Sequence, residues 1–404
     1  MDTKHQCNIT MFPAKDGDCF LLEFISGEDE FRMMIDAGPV AFGEKKLKDS
    51  LKQLHSRGKK IDLLMITHFD RDHIGGALPI LRSKRLSPVI GEIWHNGLAQ
   101  VAPDLSTSPT EDDNDAICEI LRMYQESDSA KTGEISVDQS LHFSELIATR
   151  EIPVNQHMNG SAITDQTFNL TLGKNKDIEV FFLLPRRDHL DALMEYYEDE
   201  LRDRNLDARP VFTNKAEKAF HNLMCRVKSH ITKTTYISGS GDLLEELDEY
   251  AQSTPEQDDS ITNASCITMI FRYHGKKMLF TGDAVGGDLV KALDIWRHKY
   301  EDNLIFDVVK LPHHGSCHNC PYLLDMPDFG GKRFLISTNG KHGHPDKETI
   351  ARLLKRQKSD GSDIILNYRH IKYDSLYKDF LATKTNDIYL RLDEKFPLFE
   401  EEDI

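Results

Sequence analysis

Residues Leu63 to Gly76, LLMITHFDRDHIGG, constrain this chain more than any other stretch. An apolar run, Leu63 to Ile66, gives way to His68, Asp70, Asp72 and His73, and two glycines follow. The run reads as a buried strand, so the four polar side chains emerge together on a tight loop at its end. Carboxylates packed that closely repel one another unless something positive holds them. Imidazole and carboxylate are both ligands for Mn, Zn or Fe. Gly75 and Gly76 permit close backbone approach as the next helix begins. A metal-holding loop accounts for all of this. An acidic surface loop with incidental histidines seldom follows a buried strand directly.

The flanking sequence supplies a strand framework. Short apolar or alternating runs, CNITMFPA, DCFLLEFI and EFRMMIDAG, are separated by the turn chemistry of KDGD and SGED. Leu47, Leu51 and Leu54 then fall at helical spacing, with Gly58 as a stop. After the charged loop, GGALPILRSK reads as a helix and PVIGEIWHNG as a strand. Residues 98–260 differ in character. They hold acidic polar sequence with an expected helix near Ala116 to Tyr124, a strand from Ile178 to Pro185, and a charged helix in DHLDALMEYYEDELRDRN. AQSTPEQDDSITN reads as a flexible connection. We take 98–260 as insertions on the framework and expect one large domain over 1–404. Beyond them, CITMIFRYHGKKMLFTGDA reads as two strands about a turn, Cys266 to Phe271 and Lys277 to Thr281. GGDLVKALDIWRHKY is helical, FDVVKLPHHGS is a strand ending in histidines, and RFLIST, IARLLKRQ and DIILNY continue strand, helix, strand. The tail FPLFEEEDI is expected to be solvated. Alternating strands and helices predict a layered α/β or α+β protein.

Composition bounds the function. The net charge of -17 opposes indiscriminate binding to nucleic acid, since phosphate contacts need clustered Lys and Arg. Bound divalent metals, or a local basic strip, would restore attraction. No run of eighteen apolar residues and no basic-then-apolar leader is found, so no membrane partner and a cytoplasmic location are expected. Seven scattered cysteines argue against a disulfide scaffold.

THFDRDHIGG resembles the signature loop of the metallo-β-lactamase fold superfamily, usually His-x-His-x-Asp-His, with Asp70 where most members carry the second histidine. That variant is similar to the competence protein ComEC, whose C-terminal β-lactamase-like domain is regarded as a nuclease. Further pieces match in order. KDGDCFLLEF, with Gly17 and Asp18, resembles the family's Gly-Asp strand opening. MIDAG resembles its Ile-Asp-x-Gly turn. TNAS and FTGDA resemble its Asn-x-Ser and Thr-Gly-Asp elements, VVKLPHHGS its Leu-Lys-x-Pro-His-His-Gly-Ser element, and GHP its last motif. The match covers about residues 6–97 and 262–370. It implies a four-layer αββα sandwich with long insertions and two divalent ions, Mn²⁺ or Zn²⁺ and possibly Mg²⁺. His68 and Asp70 would hold the first ion, Asp72 and His73 the second, and Asp283 would bridge them. His313 or His314 would complete the second ion's own ligand shell, and the other would be a substrate group or stand behind the ligands. A further family histidine has no counterpart: Asn263 and Ser265 stand in its region, so the first ion lacks a strong ligand. Oxygen-rich ligation shifts preference towards Mn²⁺ or Mg²⁺.

Two such ions suit phosphodiester hydrolysis. Asp72 would orient the attacking water, and His344 or the spare histidine of PHHG would serve the leaving group or phosphate. Asn263, Ser265, Lys310 and Ser316 are expected at the substrate, and Lys341 is a weaker candidate. Three functions follow: a phosphodiesterase or nuclease acting on nucleic acid, a hydrolase of a small phosphodiester, lactone or thioester, and a regulated effector whose acidic insertions bind a partner protein. Weaker signals take bland readings. Cys317 and Cys320 in CHNC are ordinary thiols, since a structural zinc needs a second pair. His95 is a structural histidine. YISGSGDLL lacks Walker spacing and is a turn.

Overall fold

The computed structural model describes residues 5–102, 143–202, 243–368, 390–391 and 395–399. The helix expected near Ala116 to Tyr124 and the turn in YISGSG lie outside them. Among the described residues, sixteen strands run in chain order: β1 His5–Met11, β2 Phe20–Ser26, β3 Asp29–Ile35, β4 Ile61–Met65, β5 Ile90–Trp94, β6 Leu170–Leu172, β7 Ile178–Leu184, β8 Thr268–Tyr273, β9 Lys276–Phe280, β10 Leu304–Phe306, β11 Val308–Lys310, β12 Phe329–Gly331, β13 Arg333–Ile336, β14 Asp363–Leu366, β15 Leu390–Arg391 and β16 Lys395–Pro397. Among the described residues they form one six-stranded sheet, in the order β16-β1-β2-β3-β4-β5, and one eight-stranded sheet, in the order β15-β14-β13-β11-β9-β8-β7-β6. β10 and β12 make a small parallel pair.

Side-chain alternation explains the layering. Cys7, Ile9 and Met11 of β1, and Phe20, Leu22 and Phe24 of β2, point into a core shared with Val180 and Phe182 of β7 and Met269 and Phe271 of β8. That core lies between the sheets. β4 pairs in parallel with both β3 and β5 and is covered on both faces. Leu63 and Met65 join the inter-sheet core, whereas Leu64 and Ile66 pack under outer helices that contribute Leu51, Ile80 and Leu146. Burial on both faces is why the sequence there is a continuous apolar run. On the far side, Ile270, Leu279, Val309 and Phe334 lie beneath Leu289, Leu293 and Trp296 of the helix Gly286–Tyr300 and Ile350 and Leu354 of the helix Lys347–Asp360. The order is helix, sheet, sheet, helix.

Two expectations are corrected. The tail is not wholly solvated: β16 pairs with β1, and Phe396, Leu398 and Phe399 are buried. The connection through AQSTPEQDDSITN is anchored. Ser260 caps a short helix, Ile261–Ala264, by accepting the Asn263 N–H, and Asp258 is buried. Hydrogen bonds between polar side chains hold that segment, which an apolar-pattern reading does not register.

The parallel pairings set the functional edge. β3 runs parallel to β4, and β9, β11, β13 and β14 run parallel to one another. Their C-terminal ends therefore open on a common edge, and the residues that follow them are Asp36, His68, Asp283, His314 and Ser337.

Candidate metal centre

The loop after β4 is built onto Asp36. Its buried carboxylate accepts the Thr67 N–H and hydroxyl, each at 2.8 Å, and the His73 Nδ1–H at 2.8 Å. His73 Nε2 is thereby turned towards Asp283 Oδ2 at 3.4 Å and Asp72 Oδ2 at 3.8 Å. His314 is anchored the same way: its Nδ1 donates to the Ser337 carbonyl at 2.8 Å. Its Nε2 lies 3.2 Å from Asp72 Oδ2 and 3.4 Å from Asp283 Oδ2. His68 Nδ1 meets the Thr67 hydroxyl at 3.0 Å, and its Nε2 lies 3.6 Å from Asp70 Oδ2.

The Nε2 atoms of His68, His73 and His314 are all buried, and none has a hydrogen-bond partner. A single buried orphan of this kind costs about 1–3 kcal/mol, so three converging ones call for a shared occupant. The distances identify its class. Ligands at 2.0–2.1 Å around a tetrahedral ion stand roughly 3.3 Å apart. Asp72, His73, His314 and Asp283 approach that spacing, and each anchored imidazole presents the free nitrogen that a metal-ligating histidine presents. The His73 and His314 rings are 5.3 Å apart, and the Nε2 atoms of both face Asp72 and Asp283. His68, His73 and Asp283 also bring donor atoms within 4.8 Å of one another, with the more open Asp70 alongside. The residues present therefore fit a divalent cation. A distant group, His5, Asp177 and His274, has the same residue types. There the two rings stack at 3.4 Å and 20°, His274 Nε2 is paired with Asp177 at 3.1 Å and His5 Nδ1 with the Ser26 hydroxyl at 3.1 Å, so those nitrogens are not orphaned.

The electrostatics express the same demand for positive charge. Burial works against ionisation of Asp283, yet His314, His73 and Lys310 hold its carboxyl well below the usual range. Burial likewise opposes the Asp72 charge, and His73 and His314 hold it low. Burial also opposes protonation of His73, but Asp283, Asp36 and Asp72 outweigh it and push the imidazole up to about 10. A divalent cation meets that demand at the point the Nε2 atoms face.

Of the expected substrate residues, three point elsewhere. Lys310 is fully buried; its ammonium pairs with Asp18, donates to the Gly282 carbonyl at 2.7 Å and lies 3.4 Å from Asp283 Oδ1. It is an internal counter-charge and not a phosphate contact. Ser265 donates its hydroxyl to the Thr262 carbonyl at 2.7 Å, and the buried Ser316 hydroxyl accepts the His318 N–H at 3.2 Å. Asn263 does border the centre: its Nδ2 donates to Asp258 at 2.6 Å and lies 3.3 Å from His313 Nδ1, and its Oδ1 is buried with no hydrogen-bond partner. His344 stands on the rim, with its ring 5.3 Å from that of His313 and its Nδ1 3.0 Å from Asp346. His95 packs against Phe143 at the end of β5, and burial lowers its pKa to about 3. Cys317 and Cys320 are free, buried thiols.

Asp18, Asp36 and Asp258 act around the centre beyond the residues the sequence nominated. The first two sit inside recognised motif strings, and their position at strand ends was the available signal. Asp258 lies in a run of acidic and polar residues with no distinguishing pattern.

Gly17 shows how tightly two segments meet here. A Cβ at Gly17 would stand 1.8 Å from the Asp72 carbonyl oxygen. Gly17→Ala is expected to displace Asp72, costing about 1–3 kcal/mol of stability through overpacking and weakening Mn²⁺ binding. Thermal melts and metal titration check this, and unchanged affinity would contradict the placement of Asp72.

The family model described as the metallo-beta-lactamase superfamily matches residues 13–144. No curated protein matches the chain. Among solved structures, the chain is similar to the metallo-beta-lactamase fold protein YhfI from Bacillus subtilis, at 11% identity and a TM-score of 0.38 over 98% of this chain and 100% of that one. A mutant of the CmlA beta-hydroxylase matches at 10% identity and a TM-score of 0.34, over 91% of this chain and 53% of that one. Likenesses so remote carry no argument about function. Among the described residues no helix is long and apolar enough to cross a membrane. Residues 13–144 thus match the metallo-beta-lactamase superfamily model, and the mixed α/β layers of the chain are consistent with that fold carrying insertions.

Proposed function

We propose that the chain is a metal-dependent phosphodiesterase of nuclease type, as in the ComEC-like branch its motifs resemble. One observation carries the reading: the carboxylates of Asp72 and Asp283 each stand 3.2–3.8 Å from the Nε2 atoms of both His73 and His314 at a sheet edge, with both imidazoles locked from behind. A divalent ion held there supplies Lewis acidity towards an ester oxygen and makes water a nucleophile near neutral pH. His68 and Asp70 offer a second position, open on the Asp70 side, where water oxygens would complete the shell of Mn²⁺ or Mg²⁺. Asp36 and the Ser337 carbonyl fix the tautomers of His73 and His314, so that both Nε2 lone pairs face the centre. Asp72 is partly open to solvent and orients water, and His344 and His313 line the approach.

A specific observation favours a small phosphodiester over a polynucleotide. Lys310 is consumed inside the fold, and Lys341 lies against Asp16 at 2.9 Å. Neither nominated lysine offers an unpaired charge to a phosphate backbone, and the net charge is -17.

A cleavage screen tests both versions. With Mn²⁺, the purified protein should hydrolyse plasmid DNA, RNA or bis-p-nitrophenyl phosphate, and EDTA should abolish this. Turnover of a lactone or thioester with every phosphodiester left intact would overturn the proposal.

A further inference from the structure

The two adjacent histidines of PHHG stand differently. His314 is buried, with its Nε2 within 3.4 Å of both Asp72 and Asp283. His313 remains partly open, its Nε2 lies 3.9 Å from Asp283 Oδ2, and it joins none of the ion-sized donor groups among the described residues. It stands one step outside the ligand set, on the side a substrate approaches. Its orientation is set from behind. Nδ1 lies 3.2 Å from Asp258 Oδ2. That oxygen also accepts the Asn263 and Asn319 amides at 2.6 and 3.1 Å, and Asp258 Oδ1 accepts the Ser260 N–H at 2.9 Å. Four partners thus fix a carboxylate that is only 3% exposed. Beside it, Asn263 Oδ1 remains buried without a partner. The backbone is strained to match: His313 and His314 both adopt left-handed conformations, at φ 45° and 54°.

We propose that His313 contacts the scissile phosphodiester, and that Asp258 is the positioning residue that aims it. Of the three imidazoles that face Asp283 Oδ2, His73 and His314 stand at 3.4 Å and His313 is the outermost, at 3.9 Å and partly open. A purely structural histidine would not keep one nitrogen open beside the centre while a saturated carboxylate locks the other. The proposal rests on the phosphodiesterase reading.

A double-mutant cycle with bis-p-nitrophenyl phosphate and Mn²⁺ tests it. His313→Ala should lower kcat about 10²–10⁴-fold while bound metal, counted by elemental analysis, stays at the wild-type value. Asp258→Ala should lower kcat about 10–100-fold. The double variant should be no slower than His313→Ala alone, because Asp258 acts through the ring that is missing. Losses that multiply in the double variant would show that Asp258 acts only on the fold. Loss of metal in His313→Ala would make His313 a ligand. Either result overturns the proposal while leaving the phosphodiesterase reading intact. That reading fails separately if the wild-type protein does not cleave the substrate. Should Asp258→Ala not fold, Asp258→Asn, which keeps an acceptor for the His313 N–H, takes its place, and rates near wild type are then expected against loss in His313→Ala.

Discussion

Replacing Asp283 with alanine is expected to abolish both metal retention and hydrolysis, lowering kcat/KM by at least about 10³-fold, or roughly 4 kcal/mol of transition-state stabilisation. One Asp283 oxygen lies within 3.4 Å of two unpartnered imidazole nitrogens, and the other faces Lys310. Among the described residues no other carboxylate is shown to reach both Nε2 atoms so closely: Asp72 Oδ2 lies 3.2 Å from His314 but 3.8 Å from His73. Removing Asp283 therefore opens the donor set at its centre. The fold should survive, because Lys310 keeps Asp18 as its counter-charge. Metal analysis after dialysis, run beside rate measurements and a thermal melt, separates these effects. Full metal retention with a rate within tenfold of wild type would remove the centre from the argument.

Lys310→Met is expected to act on stability and not on substrate affinity. The ammonium is buried between Asp18 and Asp283, both of them buried as well. Burial works against its charge, yet the two carboxylates hold its pKa above the ordinary lysine range. Removing one partner from such a group strands charge in the interior and costs about 3–5 kcal/mol. The denaturation midpoint of metal-free Lys310→Met should fall accordingly, and Asp18→Asn in the same chain should recover part of the loss. A normal midpoint combined with a raised KM would instead return Lys310 to the substrate-contact role that its place beside the PHHG motif suggests.

The contrast between His313 and His314 shows where sequence reading stops. The two residues are neighbours in the same motif, and nothing local ranks them as ligands. The left-handed turn after β11 seats His314 against Ser337 and Asp72, and swings His313 out to Asp258. Those partners come from 23, 242 and 55 residues away. Asp258 is a stronger case: its role exists only because His313 and Asn319, 55 and 61 residues further on, close on it beside the nearby Asn263 amide.

What the sequence determined by itself was local. A strand buried on both faces must be apolar throughout, so β4 was legible, and so was the polar loop at its end. Alternation in β1 and β2 showed which face meets the second sheet, and the repeated strand–helix pattern pointed to layers. Tertiary structure alone decided whether each polar group faces the centre or is spent inside the fold. Lys310, Ser265 and Ser316 sit in the expected motifs, yet Lys310 and Ser265 spend their donors on Asp18 and the Thr262 carbonyl, and the buried Ser316 hydroxyl accepts the His318 N–H. A side chain's chemistry is set by its residue type, but its availability depends on which distant groups satisfy it, and only the convergence of parallel strand ends on one edge determines that.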